Sequence, residues 1–186
     1  MYEAKVLSIL KESLNFDPIS IEKIKEFRKL LLKENKNYNF ISKNTEGDIW
    51  SRHILDSAQL VKFIDQKVED LADLGTGGGF PGVVLALYNV KNKFHVKLYE
   101  KSNVKCMFLV SIKKKLKIDF KIYDNDYHYH DIDGDYVVCR AFKKLPKILA
   151  ISREKIKKPH KLIILKGKDA QDQIKNAFKG HKHKYR

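Results

Sequence analysis

The chain has 186 residues, a formal net charge of +15 at pH 7 and two cysteines, Cys106 and Cys139. That length suits one domain with a small helical addition, and two isolated cysteines exclude a disulfide framework or a zinc ribbon. No uncharged apolar run is long enough to span a bilayer, and Met1-Tyr2-Glu3-Ala4-Lys5 lacks the basic-then-apolar form of a signal peptide.

A cytoplasmic chain with no membrane partner is therefore expected. Only five of the 38 basic residues are arginine (Arg28, Arg52, Arg140, Arg153 and Arg186), and lysine, isoleucine and asparagine are all abundant. An A+T-rich genome alone produces such a mix, so distribution is better evidence than the total. Lys113-Lys114-Lys115-Leu116-Lys117 and the region from Lys155 to Arg186 are densely basic, whereas Asp124 to Asp135 is acidic. This clustering favours one phosphate-facing side.

Residues 2–14 carry Val6, Leu7, Ile9, Leu10 and Leu14 at helical spacing. After a break from Asn15 to Pro18, Ser20 is expected to cap a second helix with Ile21, Ile24, Phe27, Leu31 and Tyr38 on one stripe. A polar loop, 39–47, leads to a third helix ending near Asp65, with Ile54, Val61 and Ile64 as core positions. Within it, His53 and Asp56 share a helix face and can form an internal pair. Residues 1–66 thus form a helical extension expected to pack on the remainder, 67–186.

From Asp70 the pattern alternates between strands at 70–74, 94–99, 119–123, 135–139 and 161–165 and helices near 81–89, 102–117, 144–157 and 168–179. Ser102 is the expected cap of the second of these helices, whose basic end complements the helix dipole. Short links between alternating elements predict a doubly wound, mostly parallel α/β sheet, with its ligand beyond the strand carboxyl ends.

The first strand runs into Asp73-Leu74-Gly75-Thr76-Gly77-Gly78-Gly79-Phe80-Pro81-Gly82 and then the apolar run Val83-Val84-Leu85-Ala86-Leu87. Glycines there permit positive φ and bring a ligand against bare main chain at a helix N-terminus, near whose first position Pro81 costs no hydrogen bond. Gly77-x-Gly79-x-x-Gly82 satisfies a dinucleotide fingerprint, while Asp73-x-Gly75-x-Gly77-x-Gly79 is the acidic-led pattern of S-adenosylmethionine (SAM) methyltransferases. Because the strand's last apolar residue is Leu74, the turn begins at Gly75, which favours SAM. Asp73 can then pair with the ligand's ammonium, directly or through water.

Glu100 ends the second strand and can accept both ribose hydroxyls of an adenosine. Arg140, at the end of the fourth strand, can pair with phosphate or with guanine O6. Phe142 stacks on a flipped base or fills the core. Cys139 reads as a small hydrophobe in a buried strand rather than a nucleophile. His128, His130, His181 and His183 lack metal-ligand spacing and read as surface residues, so no metal is expected.

These residues together resemble the RsmG, or glucose-inhibited division protein B, family of small-subunit ribosomal RNA methyltransferases. The resemblance rests on Asn37-Tyr38-Asn39-Phe40, Arg52-His53-x-x-Asp56-Ser57, the segment from Gly75 to Gly82, Glu100-x-Ser102-x-x-Lys105, Arg140-Ala141-Phe142 and Leu165-Lys166-Gly167. It implies a Rossmann-like SAM methyltransferase fold and methyl transfer to guanine N7 in the 530 loop of 16S ribosomal RNA. It further implies that Gly75, Gly77 and Gly79 approach SAM, that Glu100 holds the ribose and that Arg140 lies by the substrate; Asp73, Thr76, Phe80 and Arg140 are the remaining cofactor-binding candidates.

His53, Phe142 and Lys166 are the remaining substrate candidates, and a monomer acting on 16S RNA or the small subunit is expected. Two segments depart from the family. Tyr123-Asp124-Asn125-Asp126-Tyr127 stands where an Arg-Ala/Val-Glu type of segment is usual, which leaves Asn125 or Asp126 as the adenine contact. After Gly180 six residues remain, too few for the strand pair that usually completes such a sheet, so that pair is expected to be shortened or absent. A non-catalytic RNA- or ribosome-binding protein and a dinucleotide-dependent enzyme are the competing readings.

Overall fold

A computed structural model describes residues 3–65, 67–89, 94–167 and 169–178. Helix α1 (Glu3–Ser8) runs on through a wide turn, Ile9–Ser13, and buries Val6, Leu10 and Leu14. Helix α2 (Pro18–Asn35) begins two residues before Ser20, because Pro18 fits the first helical position and Asp17 caps it by accepting from Ser20 N–H (2.9 Å). The Ser20 hydroxyl does not cap; it donates to the Leu87 carbonyl (2.6 Å) and fastens α2 to the layer that covers the sheet. Tyr38 falls beyond α2 and is exposed rather than on its buried stripe.

A short turn, α3 (Lys43–Glu46), interrupts the expected polar loop, and the expected third helix is three unlike pieces: a π-type segment, Trp50–Leu55, one α-turn, α4 (Asp56–Ala58), and a 3-10 segment, Gln59–Phe63. Ile54 is fully buried, whereas Val61 and Ile64 are only partly so. Such π segments recur at functional sites because they re-aim side chains within a helix.

Five parallel strands follow: β1 (Asp70–Leu74), β2 (His95–Glu100), β3 (Lys121–Asp124), β4 (Tyr136–Arg140) and β5 (Lys161–Leu165). Helix α5 (Gly82–Tyr88) follows β1, α6 (Asn103–Leu116) follows β2, α7 (Leu145–Lys155) follows β4 and α8 (Ala170–Ala177) follows β5. The spatial order β3-β2-β1-β4-β5 makes β1 and β4 the pair where the winding reverses, so the crevice opens beyond Leu74 and Arg140. In register, Leu74 lies beside Tyr99, Glu100 beside Asp124, and Arg140 beside Leu165.

This is the doubly wound, mostly parallel sheet expected from the strand–helix alternation, and the Rossmann-like arrangement the resemblance implies. Residues 179–186, with His181 and His183 and the segment where a shortened or absent strand pair is expected, lie outside the described residues. One apolar cluster runs from Val6, Leu10, Ile24 and Phe27 through Leu71, Val84 and Leu98 to Phe108 and Val138. Phe27 packs on Phe80 and Phe40 stacks on Phe108, so residues of the N-terminal layer reach both the glycine segment and α6. Among the described residues no helix is long and apolar enough to cross a membrane.

Candidate active site

The segment after β1 turns through three positive-φ glycines: Gly75 (+71°), Gly77 (+61°) and Gly79 (+99°). The alternation seen in the sequence is thus the alternation the backbone needs. Gly75 N–H and Thr76 N–H both donate to the Tyr99 carbonyl (2.9 and 3.2 Å), which anchors the turn to β2. Gly79 N–H and Phe80 N–H both donate to the Thr76 carbonyl (2.9 Å each) and close the loop on itself.

Packing separates the glycines by purpose. A Cβ at Gly75 would collide with the Phe142 ring, and one at Gly78 would lie 3.0 Å from Phe40 Cβ and 3.2 Å from Leu31. At Gly77 the nearest heavy atom to such a carbon is the Gly75 carbonyl oxygen, 3.9 Å away. A side chain at Gly77 would therefore project into open space. Main chain left bare beside a cavity fits a ligand lying against it.

Two cavities meet at this loop. The smaller, ≈ 160 Å³, is bounded by Gly75, Glu100, Asn125, Asp126 and Phe142 together with Tyr127. The larger, ≈ 700 Å³, is a cleft bounded by Thr76, Gly77, Phe80, His53, Arg140 and Lys166, among others. Gly75 and Ala141 belong to both walls. The structure therefore sorts the sequence candidates into a narrow end and a wide basic end. Phe142 falls at the narrow end, its ring edge-on to Tyr127 at 5.4 Å, and not on the wall of the wide end.

Glu100 is nearly buried and already bonded: Oε2 accepts from Gly77 N–H (2.9 Å) and Oε1 from Ser102 N–H (2.8 Å). The remaining lone pairs of the carboxylate are available to a diol. Ser102 stands at the head of α6 as expected, yet its side chain makes no cap; the Glu100 carboxylate meets its N–H instead. Asn125 adopts φ +93°, and Asp126 accepts from His128 N–H (3.1 Å) to start a short turn.

Asp73 differs from its expected place. It is fully buried below the loop, and its Oδ2 accepts from Gly82 N–H (2.8 Å) rather than facing the cleft. Burial, the largest influence, raises its pKa to about 6. Asp73 Oδ1 and Thr76 Oγ1 are buried without a hydrogen bond of good geometry. A close α5–β1 approach forces this: at Gly82 a Cβ would strike Leu98 and sit 2.7 Å from the Asp73 carboxylate.

The wide end is organised around Arg140. Its guanidinium donates to the Arg52 carbonyl (2.9 Å) and to His53 Nδ1 (2.8 Å), and lies 5.1 Å from the centre of the Phe80 ring. His53 Nε2 is 2.9 Å from Thr45 Oγ1, so the local His53–Asp56 pair gives way to partners distant in sequence. Burial and the positive charges of Arg140 and Arg52 lower the His53 pKa to about 4, and the ring is neutral at pH 7. Lys166 donates to the Lys143 carbonyl (3.1 Å).

Cys139 is buried and its thiol is pushed up to about 12, chiefly by burial, so it stays protonated at neutral pH and packs as a small hydrophobe. No group of three or more His, Cys, Asp or Glu able to hold a metal occurs among the described residues.

Several cleft residues do not stand out as site candidates in the sequence. Thr45 falls in a polar stretch without a pattern to mark it. Lys105, on the first turn of α6, has a usable signal in its spacing five residues after Glu100. Phe40 and Ile41 line the cleft because buried Asn35 gathers their backbone: its Oδ1 accepts from Phe40 N–H (2.8 Å) and Ile41 N–H (3.0 Å).

Residues 20–184 match the GidB family model, described as rRNA small subunit methyltransferase G. The chain is 40% identical over 157 residues to ribosomal RNA small subunit methyltransferase G of Rickettsia felis, covering 84% of this chain and 80% of that one. It is also 40% identical over 154 residues to the protein of the same name from Rickettsia akari, covering 83% and 78%. Among solved structures, the O-methyltransferase from Bacillus cereus in complex with SAH aligns with a TM-score of 0.52 at 14% identity, over 83% of this chain and 68% of that one. That likeness extends to the fold alone. The family match over most of the chain, and relatives at this identity, establish that the chain belongs to the GidB family of rRNA small subunit methyltransferases.

Proposed function

We propose that this chain transfers the methyl group of SAM to N7 of a guanine in the 530 loop of 16S ribosomal RNA. SAM-dependent methylation of small-subunit RNA follows from family membership; the atom and the loop are the finer part of the reading. The observation that carries it is the junction of the two cavities at Gly75 and Ala141, beside the open main chain of Gly77. In this arrangement Gly75, Thr76, Gly77, Gly79 and Phe80 form the cofactor cradle, Glu100 takes the ribose, and Asn125 and Asp126 flank the adenine. Asp73 acts from beneath, by fixing Gly82 and with it the entry to α5.

When bound, SAM supplies an electrophilic methyl group on a sulfonium. Guanine N7 carries an in-plane lone pair and needs no proton removed, so the protein's contribution is alignment. The residues agree: His53 is neutral and bonded on both nitrogens, Cys139 is protonated, and neither acts as a base. Arg140, a donor-only group at the mouth of the junction, suits guanine O6 or a flanking phosphate. Arg52, Lys105 and Lys166 on the cleft wall supply positive charge for the RNA backbone.

Mapping 7-methylguanosine in 16S RNA from cells with and without the gene tests the proposal. The modification is expected at one guanine of the 530 loop and absent from the deletion strain. An unchanged map would overturn it in favour of a non-catalytic RNA-binding role.

A further inference from the structure

We propose that His53 is a positioning residue rather than a substrate contact: its unprotonated Nδ1 holds the Arg140 guanidinium in the cleft, and the Thr45 hydroxyl accepts the proton this leaves on Nε2. The inference rests on the methyl-transfer reading above. It follows from donor and acceptor counting. A guanidinium only donates, so at 2.8 Å from Arg140 the His53 Nδ1 must accept. The ring proton then sits on Nε2 and needs an acceptor, which Thr45 Oγ1 supplies at 2.9 Å. The Thr45 hydroxyl proton passes on to the Ser42 carbonyl, also at 2.9 Å.

Every bond in the series points the same way, from Arg140 through His53 and Thr45 to Ser42. Reversing the His53–Thr45 bond would put the ring proton on Nδ1 and set it against the Arg140 donor. The Arg52 carbonyl and the Phe80 ring hold the same guanidinium from two further directions. Three of these groups, Thr45, Arg52 and His53, belong to the N-terminal layer, whereas Arg140 ends β4. The helical layer therefore completes the wide end of the site. The depressed His53 pKa, about 4, agrees with an imidazole that burial and two arginines keep from charging.

The test combines kinetics with a measurement that needs no substrate. Thr45→Val keeps the shape of the side chain and removes the acceptor; it is expected to lower kcat roughly tenfold while KM for RNA and the SAM affinity stay within about twofold. Thr45→Ser is expected to recover most of kcat. In the Arg140→Ala background, Thr45→Val should cost nothing further, because the relay then has nothing to hold. Independent, multiplying losses, or a Thr45→Val effect confined to KM, would overturn the proposal. Nitrogen-15 spectra of the imidazole in the unmodified protein at pH 7 should show Nε2 protonated and Nδ1 bare. A ring protonated at Nδ1, or at both nitrogens, sinks the relay whatever the RNA target proves to be. A correct tautomer in a protein that methylates no RNA would instead count against the proposed function.

Discussion

The two ends of the β-sheet treat their polar groups in opposite ways. At the amino ends, Lys97 bridges Asp70 and Asp133, and Lys158 bridges Asp133 and Asp135 (2.8 and 2.9 Å). Asp135 also accepts from Glu69 N–H and Asp70 N–H, so this end is a closed network of charge pairs and backbone bonds. At the carboxyl ends, Asp73 Oδ1 and Thr76 Oγ1 have no well-formed hydrogen bond. Gly75, Gly77 and Gly79 there take positive φ, as do the non-glycine residues Asn125 and Ala141. One end commits its polar groups to paired charges, and the other holds positive-φ backbone, at Asn125 and Ala141 as well as the glycines, beside a cavity, which is the usual character of a binding site.

The sharpest way to break that contrast is to put a side chain where the site leaves space. Gly77→Asp adds a carboxylate at φ +61°, pointing into the open cleft beside Glu100. SAM affinity measured by calorimetry is expected to fall by ~100-fold or more, with the fold retained, because the new atoms meet no protein neighbour. Wild-type affinity would remove the loop from the cofactor site. Next in size is Arg140→Ala. Methyl transfer is expected to drop by about two orders of magnitude in kcat/KM while SAM affinity stays within a few-fold, since the guanidinium stabilises the reacting complex and not the cofactor alone. Transfer at the wild-type rate would place the substrate elsewhere.

The carboxyl-end geometry is legible in the sequence where the chemistry is local. Alternate glycines mean positive φ, and apolar runs bounded by turns place β1 and β5 at their observed bounds and the other strands within two residues. Glu100, Arg140 and Lys166 follow from the same logic, because the ends of parallel strands are where ligands bind. What the sequence hides are contacts across long separations. His53 and Asp56 satisfy a helix-face rule, but Arg140, 87 residues away, is the stronger partner, and the π-type turn re-aims the ring toward it. The distance of Asp73 from the glycines points to the ligand, and only the packing of α5 on β1 shows that Gly82 N–H claims it. Thr45 is invisible for the same reason: a hydroxyl in a polar stretch has meaning only once His53 is opposite.

A pair of asparagine substitutions sharpens the comparison through pH. Asp73, at the site end, has its pKa raised to about 6 by burial. The folded state then binds more protons than the unfolded chain between about pH 4 and pH 6, and stability falls as pH rises through that window. Asp73→Asn removes the penalty and keeps an acceptor for Gly82 N–H. Its thermal midpoint is expected to exceed that of the wild type above pH 6, by an amount worth roughly 1–3 kcal/mol, and to converge with it below pH 4.

Asp133, at the opposite end, has its pKa lowered to about 2 by hydrogen bonds from Lys158 and Lys97. Its contribution has the reverse sign: present above about pH 4 and lost as pH falls toward 2. Its side chain is 54% exposed, so screening holds the effect below about 1 kcal/mol. Asp133→Asn is therefore expected to lower the midpoint slightly at pH 7 and to match the wild type near pH 2. Thermal melts of both variants from pH 2 to pH 8 read the two signs in one experiment. Curves that bend the same way would mean that the two ends of the sheet do not differ in how they hold charge.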